Sequence, residues 1–343
     1  TNNNIKMKKI LYLIIFLLSF SSLMNAQQLS LHTQYMTNDF ALNPAIAGTK
    51  SYNPINLSFR RQWVGIREAP VTEFISMHGY YGHNLGIGGQ LYNESVGPTR
   101  RTGASLSAAY HLTLSKTGYN MGLQDDNQHT FSFGLSFELN QLALDMAKLI
   151  PYTANDPTVD QAYNSQLTPD MNFGLFYHNL DKYYFGFSVM NLFQGKSDIY
   201  NIPNDITNTY VRNYYLTGGA TLYLKGSWTL LPSFLVQGIE TGVVQFDIGA
   251  RAFYDDKYWI GVSYRHQDAI NPMIGVNFNE IRFGYSYDIT ISQIKNYSFG
   301  SHELICVIIL NRIGNNEYNR SAGKRSIKKN RVIKLDFKPE IDL

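Results

Sequence analysis

The chain carries eight histidines, one cysteine and many serines, so nucleophilic, acid–base and metal chemistry are the first possibilities to weigh. A hydrolase site needs a nucleophile, a histidine within hydrogen-bond reach and a third group that orients it. His78, His111, His178 and His266 each stand singly within or beside strand-like segments, and no Ser/His/acid set can be assembled from their spacing. Cys306 alone cannot form an intramolecular disulfide, and no Cys/His pattern has metal-ligand spacing. Gly86, Gly88 and Gly89 superficially suggest a phosphate loop. They alternate along a strand-like stretch with no helix after it, so close strand packing or a bulge is the better reading. Arg60, Arg100 and Arg251 form no ring of like charge and read as electrostatics of a polar interior. No catalysis, no metal and no cofactor are expected.

The elements around these residues point to an exported barrel. Met7-Lys8-Lys9, an apolar run over residues 10–20, and Asn25-Ala26 before Gln27-Gln28 have the order of a secretory signal peptide. Residues 1–26 are therefore expected to be removed, with residues 1–6 as extra sequence ahead of a natural start at Met7. No cysteine follows the cleavage point, so no lipid anchor is expected there. No later stretch is long and apolar enough for a spanning helix. Yet 25 Tyr, 20 Phe and 27 Gly with only 16% charged residues suit strands and the aromatic girdles of a membrane barrel. The net charge of +3 comes from the two ends: residues 312–343 contribute +5 and Lys6, Lys8 and Lys9 another +3, leaving about −5 for the body. The basic balance is thus no argument for nucleic-acid binding.

From Ile55 onward, bulky and small or polar residues alternate over segments of roughly ten residues, the length of a tilted membrane strand. Phe131, Phe133, Leu135, Phe137 and Leu139 alternate with Thr130, Ser132, Gly134, Ser136 and Glu138. Ile281, Phe283, Tyr285 and Tyr287 alternate with Glu280, Arg282, Gly284 and Ser286. About fourteen such segments are expected in one closed antiparallel transmembrane β-barrel, an all-β fold. Residues 27–54 would form a periplasmic or plug segment, 55–311 the barrel, and 312–343 a basic, unstructured tail. Connections after even strands are short, at Gly82-His83, Leu180-Asp181, Lys225-Gly226, Asp255-Asp256 and Asn279. The longest ones, residues 141–170 and 191–211, follow odd strands. With short turns in the periplasm, both termini would lie there. Residues 114–128 break the rule, since that even connection is long.

An ordered set of short motifs resembles the PorP/SprF family of type IX secretion outer-membrane proteins. It starts with Gln34-Tyr35-Met36 and Asn43-Pro44-Ala45-Ile46-Ala47-Gly48, then Arg60-Arg61-Gln62-Trp63-Val64-Gly65 and Ala69-Pro70-Val71-Thr72. It continues with Leu85-Gly86-Ile87-Gly88-Gly89, Val96-Gly97, Pro169-Asp170-Met171-Asn172-Phe173-Gly174, Gly186-Phe187-Ser188-Val189-Met190-Asn191, Tyr287-Asp288-Ile289-Thr290 and Gly300-Ser301-His302-Glu303. The resemblance implies an outer-membrane barrel that helps secrete or anchor a large surface protein, such as a gliding-motility adhesin, through that partner's C-terminal domain. Other type IX secretion components and outer-membrane lipid would be its further partners. An outer-membrane porin or small-solute channel is the alternative. Residues 39–48 read either as loop punctuation or as a plug or rim segment. Arg60 and Gln62 should face the lumen, with Glu73 as a carboxylate partner for Arg60, and Trp63 should act as an interfacial anchor. Tyr152, Tyr163, Tyr200 and Tyr210 read as loop anchors for a protein partner or as rim residues.

The C-terminus departs from this pattern. Residues 304–310 are apolar without a break, where a final strand should alternate. Encoding residues 303–312 with AT-rich codons and restoring one adenine after the Glu303 codon gives Glu-Ile-Asn-Met-Arg-Tyr-Asn-Phe-Lys and a stop. That ending alternates, so residues 304–343 are read as out of frame. Resequencing across Glu303 is expected to reveal a single-base change that opens the alternating frame; if none does, the tail is genuine.

Overall fold

The computed structural model describes residues 33–114, 129–145, 148–149, 165–179, 182–197 and 208–310. The expected signal peptide, the basic tail and the tips of the longest loops lie outside these residues. Fourteen long strands form the wall. They are β1 Asn53–Arg61, β2 Val71–Gly82, β3 Leu85–Val96, β4 Thr99–Thr113, β5 His129–Leu144, β6 Ser165–Asn179 and β7 Tyr183–Met190. β8 Asn213–Ala220, β9 Trp228–Ile239, β10 Val244–Tyr254, β11 Tyr258–Arg265, β12 Ala269–Phe278, β13 Ile281–Thr290 and β14 Ser301–Leu310 complete it. Each strand pairs antiparallel with its sequence neighbours, and β1 pairs with β14 from Asn53↔Leu310 to Arg61↔His302. The sheet is a closed barrel, as the alternation predicts.

The alternation also fixes which face is which. In β5, Thr130, Ser132, Ser136, Glu138 and Asn140 are buried, while Phe133 is 40% and Leu135 and Phe137 are each 51% exposed. Among the described residues, buried polar and charged side chains outnumber buried hydrophobic ones. A water-soluble domain does the reverse. Leaving a Leu or Phe in water forfeits about 1.5–3 kcal/mol relative to burial, so an outer wall of such residues calls for lipid around it.

Antiparallel order sorts the connections. At one end lie the links after even strands. Among the described ones these are short, with positive φ at His83 and Asn84 after β2, at Asp255 and Asp256 after β10, and at Asn279 after β12. Positive φ at successive turn residues matches the right-handed twist of paired strands. The first turn sits one residue later than the sequence suggested, because β2 runs to Gly82. Residues 145–164 and 191–212 both follow odd strands and so share the opposite end, the long-loop end. In the second of these, Lys196–Ser197 pairs with Asn208–Thr209.

Both termini of the chain lie outside the described residues. Asn53 and Leu310 do face each other at the short-turn end. The chain ahead of β1, however, runs back through the lumen. Thr33 touches Arg60, Asp288 and Glu303, all close to the long-loop ends of their strands. Residues 33–52 therefore thread the barrel from one end to the other. β14 takes in residues 304–310 despite their lack of alternation, with Ile305 and Val307 each 3% exposed on the inner face.

Candidate functional site

The lumen segment lies in a trough built from small residues. Across five adjacent strands, Gly86 pairs with Ala109, Ala109 with Gly134, Gly134 with Gly174 and Gly174 with Ser188. All five face inward, so one row of the wall has almost no side chain. Residues 42–47 run along this row. Ser188 donates its hydroxyl hydrogen bond to the Leu42 carbonyl. Asn43 stands over Gly174, Pro44 and Ala45 over Gly134, and the Ala47 carbonyl over Gly86, each at a place where a Cβ would collide. Gly88 adds a fourth such position, where a Cβ would lie 2.6 Å from the Phe40 ring. The close strand packing foreseen here holds for Gly88, where a Cβ would also meet His78 and Met77 of β2, and both Gly86 and Gly88 pack in addition against the lumen segment.

Asn43 explains how the segment is held there. Its side chain accepts the Ala45 N–H at 2.9 Å and so caps the short 3-10 turn Pro44–Ile46. Its amide nitrogen donates to the backbone carbonyls of Leu175 at 2.9 Å and Phe187 at 3.3 Å, on β6 and β7. Gly48, at φ +77°, donates its N–H to His78 Nδ1 at 3.1 Å, and a Cβ there would lie 2.7 Å from the Gly86 Cα. Phe40, Ala45, Ile46 and Ala47 pack with Ala109 and Phe176 in a small apolar core. Tyr35 and Leu42 pack with Tyr215 and Leu235 in a second one. The Tyr35 hydroxyl meets Ser233 Oγ at 3.0 Å.

At the long-loop end the segment is tied by a buried charge network. Arg60 donates to Asp288 at 2.7 Å, to Glu303 at 3.0 Å and to Thr33 Oγ1 at 2.6 Å. Glu303 accepts the backbone N–H groups of Thr33 at 2.9 Å and Gln34 at 3.2 Å, and the Gln34 amide donates to the Glu303 carbonyl. Arg265 reaches Asp247, Asp268 and Asp288 at 3.2–3.4 Å. Arg60, Arg265, Asp288 and Glu303 are buried, so each charge depends on these partners rather than on water.

Several sequence expectations need correction against this geometry. Glu73 is not the partner of Arg60. The register sets Glu73 opposite Phe59 on the outer face, where it accepts from Asn93, while Arg60 stands opposite Thr72. Arg100 also faces outward and bonds Asn93; Arg101 takes the inner row. β1 ends at Arg61, so Gln62 and Trp63 belong to the following connection. Gln62 is buried and its N–H bonds the Pro70 carbonyl, whereas Trp63, at φ +45°, donates its N–H to Ser301 Oγ. Gly97, at φ +57°, turns β3 into β4 and donates to the Glu68 carbonyl. His302 sits on the outer row, bonded to the Tyr285 hydroxyl at 2.7 Å. Asn191 joins two motifs: its N–H bonds Asn172 Oδ1 at 2.9 Å, and its amide holds the Val211 carbonyl at 3.1 Å. Tyr210 packs under the Arg101 guanidinium, 4.9 Å from the ring centroid, instead of reaching outward. Tyr152, Tyr163 and Tyr200 lie outside the described residues. Met36 meets Arg251 through its carbonyl at 3.0 Å.

Among the described residues, no three His, Cys, Asp or Glu side chains are grouped to hold a metal ion, and no helix is long and apolar enough to cross a membrane. The arrangement can fill and brace a lumen. Its residues come from the same motifs whose order marks the sequence, and a profile of the family "Type IX secretion system membrane protein PorP/SprF" matches residues 24–308. The chain belongs to the PorP/SprF family. A search of curated proteins finds no match. Solved barrels resemble this PorP/SprF protein at low identity. A Pseudomonas aeruginosa FadL homologue is 10% identical over 78% of this chain and 92% of its own, with a TM-score of 0.43. The CymD monoaromatic hydrocarbon channel is 12% identical over 83% and 94%, with a TM-score of 0.42. The KdgM porin is 8% identical over 74% and 98%, with a TM-score of 0.36. Membership of the family implies a membrane component of the type IX system that associates with other components of that system.

Proposed function

We propose that this PorP/SprF protein sits in the outer membrane and helps secrete, or hold at the surface, a large adhesin-like protein through that partner's C-terminal domain. The observation that carries the reading is the occupied lumen. A solute channel needs an open path, whereas residues 33–48 occupy the lumen, most of them buried, and are tied to the wall by Glu303, Ser188 and His78. A braced, filled barrel suits a scaffold that presents loops. Residues 1–26 act as the export signal, short turns face the periplasm, and the loops of residues 145–164 and 191–212 face outward. The role is non-catalytic, and recognition rests on those loops.

Affinity capture of the detergent-extracted protein is expected to bring down a large surface protein carrying a C-terminal domain. Deleting residues 155–164 should leave barrel assembly intact, read from heat-dependent gel migration, and weaken retention of that partner. Unchanged retention would remove this loop as the binding surface.

A further inference from the structure

In the half of the lumen nearest the short turns, the wall and the lumen segment leave a cavity of about 190 Å³. It extends to Pro54, the second residue of β1, and to Asn277, the penultimate residue of β12, so it lies toward that end. Lys50, Arg251 and Arg282 line it, and the carboxylate among its lining residues is Asp39, which Lys50 binds at 2.6 Å. Arg251 uses its terminal nitrogens on neutral acceptors, Thr37 Oγ1 at 2.7 Å and the Met36 carbonyl at 3.0 Å, and stacks over Trp259. Arg282 donates to the Tyr52 hydroxyl at 3.1 Å and lies over that ring. Among the described residues neither guanidinium has a carboxylate within ion-pair distance. Three cations thus line the cavity against one carboxylate, Asp39, whose ion pair is with Lys50.

Two donors in the same place lack acceptors. His78 is 1% exposed and uses Nδ1 to accept the Gly48 N–H, which leaves its proton on Nε2. Nε2 is buried without a partner, as is Nε of Arg251. Buried donors of this kind are ordinarily satisfied, and an unsatisfied one costs about 1–3 kcal/mol. Cations in excess, orphan N–H groups and aromatic walls have one ligand chemistry in common. We infer that this cavity binds a small oxyanion, a carboxylate or phosphate group, entering from the short-turn end. Arg282 at the rim meets it first, and Arg251 anchors it over Trp259. A free anion and the headgroup of an anionic lipid share this chemistry.

Trp259 supplies the readout, because it lies 5.4 Å beneath the Arg251 guanidinium. The full chain in neutral detergent is titrated with inorganic phosphate, with acetate and with short-chain phosphatidate, each replacing chloride at constant ionic strength. A saturable change in tryptophan fluorescence is expected, absent from chloride alone. Arg282→Gln removes one charge-assisted contact from a partly exposed rim residue and should weaken binding about tenfold, while heat-dependent gel migration confirms an intact barrel. Saturation by phosphate or acetate identifies a free anion; saturation by phosphatidate alone identifies a headgroup. No saturable change with any of the three, or equal affinity in Arg282→Gln, overturns the proposal.

Discussion

Glu303→Ala should lower the stability of the barrel by about 3–5 kcal/mol, the cost of removing one member of a buried ion pair. The loss should fall toward the upper end of that range because Glu303 serves three groups at once. It neutralises Arg60 at 3.0 Å and accepts the backbone N–H groups of Thr33 and Gln34. Without it, Arg60 keeps Asp288, but that carboxylate already receives Arg265 and the Thr33 hydroxyl. The two backbone donors at the start of the lumen segment would lose their acceptor and would have to be rehydrated or paired anew. Arg61→Ala, one residue along β1 on the outer row, breaks none of these contacts and should change little. The check is the unfolding midpoint in detergent, followed by heat-dependent gel migration. A Glu303→Ala midpoint equal to that of Arg61→Ala would mean that the network does not brace the fold.

The contrast between these two arginines also shows what sequence can reveal here. Period-two alternation assigns each residue to one face, and it does so correctly for β5 and β13, where Phe133 and Phe283 face out and Ser132 and Ser286 face in. Facing is a local property set by the pleat. Partnership is not. Arg60 finds its carboxylates 228 and 243 residues away, on strands that become neighbours only when the barrel closes. Glu73 was nearer in sequence, yet one register step puts it on the wrong face. The trough was hidden for the same reason. Gly86, Ala109, Gly134, Gly174 and Ser188 are unremarkable along their own strands and line up only through four successive registers. Their signal is a glycine or alanine on the inner row of several consecutive strands. Arg265 and Asp247 carried a signal of similar kind, as charges on inner rows.

That trough gives the second large effect. The intact protein should be electrically silent in a planar lipid bilayer, and Gly134→Val should make it conduct. A Cβ at residue 134 would collide with the backbone of Pro44 and Ala45, which cannot yield as a flexible side chain can. Overfilling a packed interior typically costs about 1–3 kcal/mol and occasionally more, and here valine adds three carbons against main chain. Valine suits a strand, so the wall itself should tolerate it, with β5 still paired to β4 and β6. The weaker side of the conflict is the lumen segment, which is held in the trough by a small apolar core and by hydrogen bonds of Asn43, Ser188 and Gly48 rather than by a strand ladder. Every 1.4 kcal/mol shifts the balance between seated and displaced segment about tenfold, so a penalty of several kcal/mol would populate the displaced state heavily. Deleting residues 33–48 is the limiting case and should give the largest, steadiest current. Ala108→Val, on the outer row of the neighbouring strand, adds two carbons toward lipid and should leave the protein silent. A folded Gly134→Val protein as silent as Ala108→Val would show that the segment does not close the lumen, and steady current through the unaltered protein would favour the solute-channel reading instead.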